Sequence, residues 1–277
     1  MQYQCRSHQH TCVDSRHTYQ YVVKHHRCST KHSTDTNAHD PQENATVISV
    51  SKGIHVETHM LMDEIFSNTL GSRHTYIYLS GPSFASEIVD GHPTTFVLAS
   101  TDKQVLERTA ASIFDDTYTR VTTTSDTRGV LIAGACKNVY AIGAGVIQAL
   151  NYGYNTITMF ILAAMKEMTA LCALVQSTEP NHTIYYSCGL GDLILTSFGQ
   201  TSRNHQLGVL LATNTTNSST VQHFLRSTIV EGVPTTQAAY VIAKSHDKLH
   251  QLPLLDAIHR LLFQSAPASI LISALLC

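Results

Sequence analysis

The stretch that most constrains this chain is residues 130–150, VLIAGACKNVYAIGAGVIQAL, with Lys137 and Asn138 near its middle. Its 21 residues have the length and apolar content of a membrane span. A cation and an amide at mid-depth argue instead for a helix buried in protein. A lysine in apolar surroundings loses hydration of its charged form, which lowers its pKa toward the range of a general base. Ala133, Gly134 and Ala141 lie on its helical neighbours and are small, which predicts room for a ligand to approach the ammonium. The competing reading is a lysine that snorkels at a helix edge.

Around this helix the sequence divides into three regions. Residues 1–43 hold seven of the 17 His, three Cys and no Gly, and their apolar cluster is limited to Tyr19, Tyr21, Val22 and Val23. Too little surface can be buried there to offset ordering entropy, which predicts disorder. Cys5, His8, Cys12, His17, Cys28 and His32 carry zinc-binding chemistry, but their spacings match no standard finger, and no metal is expected. Residues 44–125 alternate strands (46–51, 75–80, 94–100, 118–124) with helices (55–69, 84–89, 102–114), the signature of α/β architecture. After Ser125 helices are predicted at 126–150, 156–175, 202–212, 220–230, 235–245, 254–264 and 268–276. Pro234, Pro253 and Pro267 sit near helix starts, where a missing N–H costs least. This second half, 126–277, reads as an all-helical domain.

Charge excludes some functions. With 18 Lys and Arg against 20 Asp and Glu, the chain has no basic excess for coating nucleic acid or an anionic membrane. Seven scattered Cys suggest no disulfide framework, and residues 1–20 hold no apolar run of signal-peptide length. The expected compartment is the cytoplasm or an organelle.

Two further clusters carry chemistry. Gly189-Leu190-Gly191-Asp192 predicts a tight turn that presents Asp192. Ser202 then predicts an N-cap, with Arg203 and Asn204 beside a helix N-terminus that suits an anion. The bland alternative there is a solvated cap. Ser80-Gly81-Pro82-Ser83-Phe84-Ala85 joins a strand to a helix, where α/β proteins place ligand-binding backbone.

These segments occur in order: S-K-G at 51–53, L-S-G-P-S-F-A-x-E at 79–87, G-A-x-K-N-V-x-A-I at 134–142, G-L-G-D-L-I-L-T at 189–196, S-R-N at 202–204 and V-E-G at 230–232. Together they resemble the bacterial and plastid type of NAD(P)-dependent glycerol-3-phosphate dehydrogenase over about residues 44–276. The resemblance implies a partial Rossmann-type domain followed by a helical substrate domain, NAD or NADP as cofactor, and a small phosphorylated substrate. A second copy of the chain is a candidate partner in a homodimer, and neither nucleic acid nor a membrane span is expected. Lys137 would accept the proton of the C2 hydroxyl, supported by Asp192. Lys52, Gly81 and Ser83 would border substrate and nicotinamide, with Asn138 beside Lys137. Ser202, Arg203 and Asn204 would hold the substrate phosphate, and Lys52, Ala85, Arg203 and Glu231 would touch the dinucleotide.

Three departures accompany the resemblance. The chain has no Gly before Gly53 and no G-x-G-x-x-G, the turn that seats a pyrophosphate. It is also short before Lys52 by roughly two βαβ steps of about 30 residues. Leu162-Ala163-Ala164 stands where relatives have Thr-Arg-Gly, and Leu131 stands where they have an acidic residue. The alternative reading is a catalytically impaired relative that serves as a binding or dimerisation module.

Overall fold

The computed structural model describes residues 10–13 and 20–24 as backbone, and residues 45–113, 118–199 and 201–277. Six strands form one sheet in chain order: β1 (His10–Val13), β2 (Gln20–Lys24), β3 (Thr46–Ser49), β4 (Thr75–Ser80), β5 (Thr94–Ala99) and β6 (Thr119–Thr124). Pairing sense follows the helix that each connection carries. The long links through α1 (Met62–Leu70) and α3 (Lys103–Ile113) make β3–β4 and β5–β6 parallel. Between β4 and β5 the connection holds only the five-residue α2 (Ala85–Val89), and the strands are antiparallel. A parallel crossover usually carries a full helix to pack on the sheet, and the thirteen residues 81–93 hold only that short one.

Residues 1–43 were expected to be disordered; within them residues 10–13 and 20–24 are described. There the structure corrects the expectation: β2 pairs antiparallel with β3, Tyr21 opposite Ser49 and Val23 opposite Val47, and β1 pairs with β2. The pairing forms at Tyr21, Val22 and Val23, the aromatic and β-branched residues best suited to a pleated surface. The candidate zinc ligands have no described side chains, so that question lies outside the described residues.

Alternation along β4 and β5 sends side chains to both sheet faces. Ile77 and Leu98 pack with Ile48 and Leu106 under α3. Tyr78, Val97 and Ala99 turn the other way, onto Met62, Phe66 and the helical half. That half is built on α4 (Thr127–Ala149), in which every residue from Gly129 to Ile147 is buried. A helix apolar on all sides belongs in a core, and α4 occupies one. Asp126 caps it, accepting from Gly129 N (3.1 Å), Thr178 N (3.0 Å), Ser177 Oγ (2.7 Å) and Thr183 Oγ1 (2.5 Å).

Around α4 lie α5 (Tyr154–Leu174), α6 (Pro180–Tyr185), a π-helical turn at Ser187–Gly191, α7 (Asp192–Phe198), α8 (Arg203–Leu211), α9 (Ser219–Ser227), α10 (Gly232–Ser245), α11 (Pro253–Phe263) and α12 (Ile270–Leu275). Among the described residues, α4 and α5 are long and apolar enough to cross a membrane by length and composition. The α4 window is wholly enclosed, and α5 packs its Phe160, Ala164, Met168 and Leu171 into the same core. The backbones of α4 and α8 approach closely where the helices meet. A Cβ on Gly208 would overlap the carbonyl of Ile142, and one on Gly145 would overlap that of His205.

Two expected elements differ. The helix foreseen at 55–69 begins only at Met62, because His59 adopts a positive φ of 57° and ends the preceding turn. Glu64 Oε2 then accepts from Leu61 N at 2.9 Å and fixes that start. The turn foreseen at 189–192 is helical instead: Gly191 has φ −60° and leads straight into α7.

Candidate functional site

Three chain segments converge on one carboxylate. Asp192, at the first position of α7, is fully buried. Its Oδ1 accepts from Lys137 Nζ, and its Oδ2 accepts from Lys52 Nζ at 2.7 Å. Lys137 is 8% exposed, which rules against the snorkelling alternative. Burial, followed by the nearby Lys52 ammonium, pulls Lys137 down to about 8, against the opposing attraction of Asp192. One carboxylate shared between two ammoniums leaves the cluster net positive, and a buried net charge is stable only with such bonding.

Lys52 reaches the cluster from the loop after β3 and also donates to Gly81 O at 3.3 Å. Gly81 follows β4 at a φ of +142°, where its absent Cβ would lie 2.6 Å from Thr95 O. Only glycine fits both the dihedral and the space. Ser83 Oγ donates to the same Gly81 carbonyl at 3.3 Å. Gly81 and Ser83 therefore stand with Lys52 at the ends of the parallel pair β3–β4.

The small residues beside Lys137 lie in close packing. Ala133 and Ala141 are fully enclosed, and a Cβ on Gly134 would meet Ser80 Oγ at 3.0 Å and Lys52 Cγ at 3.4 Å. Gly134 thereby admits Ser80 of β4 and the Lys52 stem. Leu131, the departure from an acidic residue, lines a small cavity there with Lys52, Tyr78 and Ser80.

A second cluster adjoins the first in sequence. Asn138 Nδ2 donates to Glu231 Oε2 at 3.1 Å, and Asn138 Oδ1 accepts from Asn204 Nδ2 at 2.9 Å. Ser202 caps α8, accepting from His205 N at 3.3 Å. Arg203 is exposed at the first turn of α8 and makes no ion pair with a described residue. Ala85 is exposed at the start of α2 and bonds to neither cluster.

Sequence reasoning missed two groups. Thr196 Oγ1 donates to Asp192 O at 2.7 Å and lies 3.5 Å from Asp192 Oδ1. The four-residue spacing from Asp192 on one helix was the available signal. Glu167 is buried on α5 and accepts from Leu254 N (2.6 Å), Leu255 N (2.9 Å) and Tyr140 OH (3.0 Å). Nothing local marks it, because its donors lie 27 to 88 residues away.

A family model for the NAD-dependent glycerol-3-phosphate dehydrogenase C-terminus matches residues 126–273, and the N-terminal model matches residues 5–106. The chain belongs to the NAD-dependent glycerol-3-phosphate dehydrogenase family. The match from residue 5 extends the likeness beyond the 44–276 expected from the motifs. A glycerol-3-phosphate dehydrogenase (NAD(P)+) of Geobacter sp. (strain M21) is 36% identical over 82% of this chain and 66% of its own length. The chloroplastic glycerol-3-phosphate dehydrogenase (NAD(+)) 2 of Arabidopsis thaliana is 36% identical over 78% of this chain and 50% of its own. Among solved structures, the glycerol-3-phosphate dehydrogenase of Coxiella burnetii superposes with a TM-score of 0.74 at 26% identity, over 83% of this chain and 68% of that one. The chain thus spans about two thirds of the length of the Geobacter member of the family. Its fold is that of the family: a partial Rossmann-type sheet followed by a helical substrate-domain architecture.

Proposed function

We propose that this chain interconverts sn-glycerol 3-phosphate and dihydroxyacetone phosphate, with NAD or NADP carrying the hydride. The observation that carries this reading is the buried Lys137–Asp192–Lys52 cluster, tied through Asn138 and Asn204 to the exposed Arg203. A lysine held at about 8 exchanges protons near neutral pH, so Lys137 takes the C2 hydroxyl proton in oxidation and returns it in reduction. Asp192 aims its ammonium and offsets part of the charge. Lys52 adds a second positive charge where the alkoxide develops. Arg203, with the N-terminal N–H groups of α8, suits the phosphate dianion. In this reading the sheet half, 44–125, is the remnant of the cofactor domain and residues 126–277 form the substrate domain, with Lys52, Gly81 and Ser83 bordering the substrate from the first and Arg203 and Glu231 reaching the dinucleotide from the second.

The cofactor supplies the hydride acceptor and donor. The residues that would hold its nicotinamide end are Lys52, Ala85, Arg203 and Glu231, with Lys52 held to the Gly81 carbonyl at the end of β4. The pyrophosphate end does not fit in the usual way. Residues 1–277 hold no G-x-G-x-x-G turn, and β2, the described strand beside β3, runs antiparallel, so it ends at the opposite end of the strands from the Lys52 loop. That observation favours a second reading, a catalytically impaired relative acting as a binding or dimerisation module. Turnover of dihydroxyacetone phosphate with NADH and with NADPH, followed by absorbance, separates the two. Turnover lost in Lys137→Ala supports the enzyme. No turnover in the parent chain, with calorimetric binding of glycerol 3-phosphate retained, supports the module.

A further inference from the structure

The hydrogen bonds around Asn138 close into a ring. Asn138 donates to the Glu231 carboxylate, Asn204 donates to Asn138, and Gly232 N donates to Asn204 Oδ1 at 2.8 Å. Glu231 and Gly232 are adjacent in the chain, so the ring joins α4, α8 and the start of α10. It is tightly enclosed. Asn138 and Asn204 are 3% and 8% exposed, and a Cβ on Gly232 would lie 2.5 Å from Asn138 O and 2.7 Å from Asn204 Oδ1.

The sense of the ring follows from charge. An ionised carboxylate only accepts, so Asn138 must turn its NH2 toward Glu231. Its carbonyl oxygen then faces Asn204, which must present its own NH2. The Asn204 oxygen is left to accept from Gly232 N, whose direction the backbone fixes. Both ends of the Asn138 amide are therefore engaged with protein groups. We propose that Glu231 and Asn138 are positioning residues for anion recognition at α8: the carboxylate, acting through the Asn138 amide, sets which way the Asn204 amide points and holds the first turn of α8 in place. This replaces a direct substrate contact for Asn138. It rests on the reading of Arg203 and Asn204 as the phosphate site.

Two readouts test it, one without any ligand. Hydrogen exchange at the Gly232 amide reports the far end of the ring, with the Leu261 amide in α11 as the control for global opening. Calorimetry with glycerol 3-phosphate, in the absence of dinucleotide, reports anion recognition. Glu231→Ala should speed exchange at Gly232 but not at Leu261, and weaken glycerol 3-phosphate by about tenfold, the scale of one net hydrogen bond. Glu231→Gln should restore both toward the parent values, because its amide oxygen still accepts from Asn138. Asn138→Asp should fail in both, because a second carboxylate then faces Glu231. If Glu231→Ala changes neither exchange nor affinity while the parent binds glycerol 3-phosphate, the relay is refuted and the phosphate site stands. If the parent binds no glycerol 3-phosphate, the phosphate assignment fails and this proposal with it, whatever the exchange shows.

Discussion

Glu167→Gln should alter how stability depends on pH, by an amount that follows from where the carboxyl sits. Burial pushes Glu167 up from 4.5 to about 7, even though Leu254 N, Leu255 N and Tyr140 OH all donate to it; Asp256 adds to the rise. In the unfolded chain the group reverts to its ordinary value. Between pH 4.5 and 7 the folded protein therefore keeps a proton that the unfolded chain has released. Stability from this group is full below the unfolded value and is lost as pH rises through the folded one. At 1.36 kcal/mol per factor of ten in proton affinity, the loss amounts to about 3 kcal/mol. Glutamine has the same shape and does not titrate. Urea unfolding of both proteins, followed by circular dichroism from pH 4.5 to 8.5, isolates the effect, because every other group titrates in both. The stability of the parent relative to Glu167→Gln should fall by about 3 kcal/mol across that range, most of it before pH 7. A difference that stays constant with pH would show that the three donors compensate burial completely and that the reasoning is wrong.

Other expectations follow from the same contacts. Asp192→Ala leaves two ammoniums without their carboxylate and should cost about 3–5 kcal/mol in urea unfolding, as for other broken buried pairs; adding Lys52→Met should recover part of that loss. Arg203→Ala should weaken glycerol 3-phosphate by about 1.5–3 kcal/mol in calorimetry, the scale of a hydrogen bond to a charged group, and leave glycerol unchanged. Gly208→Ala drives a methyl group into the α4 backbone and should lower stability by at least about 1–3 kcal/mol, read as a fall in Tm.

Much of this protein was legible without coordinates because the signals are local. The strands at 75–80 and 94–99 and the helices flanking Pro253 were written in β-branched runs, apolar periodicity and proline placement, each set by neighbours a few residues away. Lys137 stood out for the same reason, a cation within one continuous apolar run. The ordered motifs also pointed to the family. What the sequence could not reveal depends on groups that meet only after folding. Lys52 and Asp192 are 140 residues apart, and nothing near either says that one carboxylate will take two ammoniums. Gly134 beside Lys137 reads simply as a small residue, and only the fold brings Ser80 of β4 and the Lys52 stem against it. Asn138 also bonds Glu231, 93 residues on, a partner that nothing near it in the chain announces. Residue type and spacing determine which groups are able to bond. The packing of α4 against α7, α8 and α10 decides which of them do, because a buried polar atom must be satisfied by whatever partner the fold brings within reach.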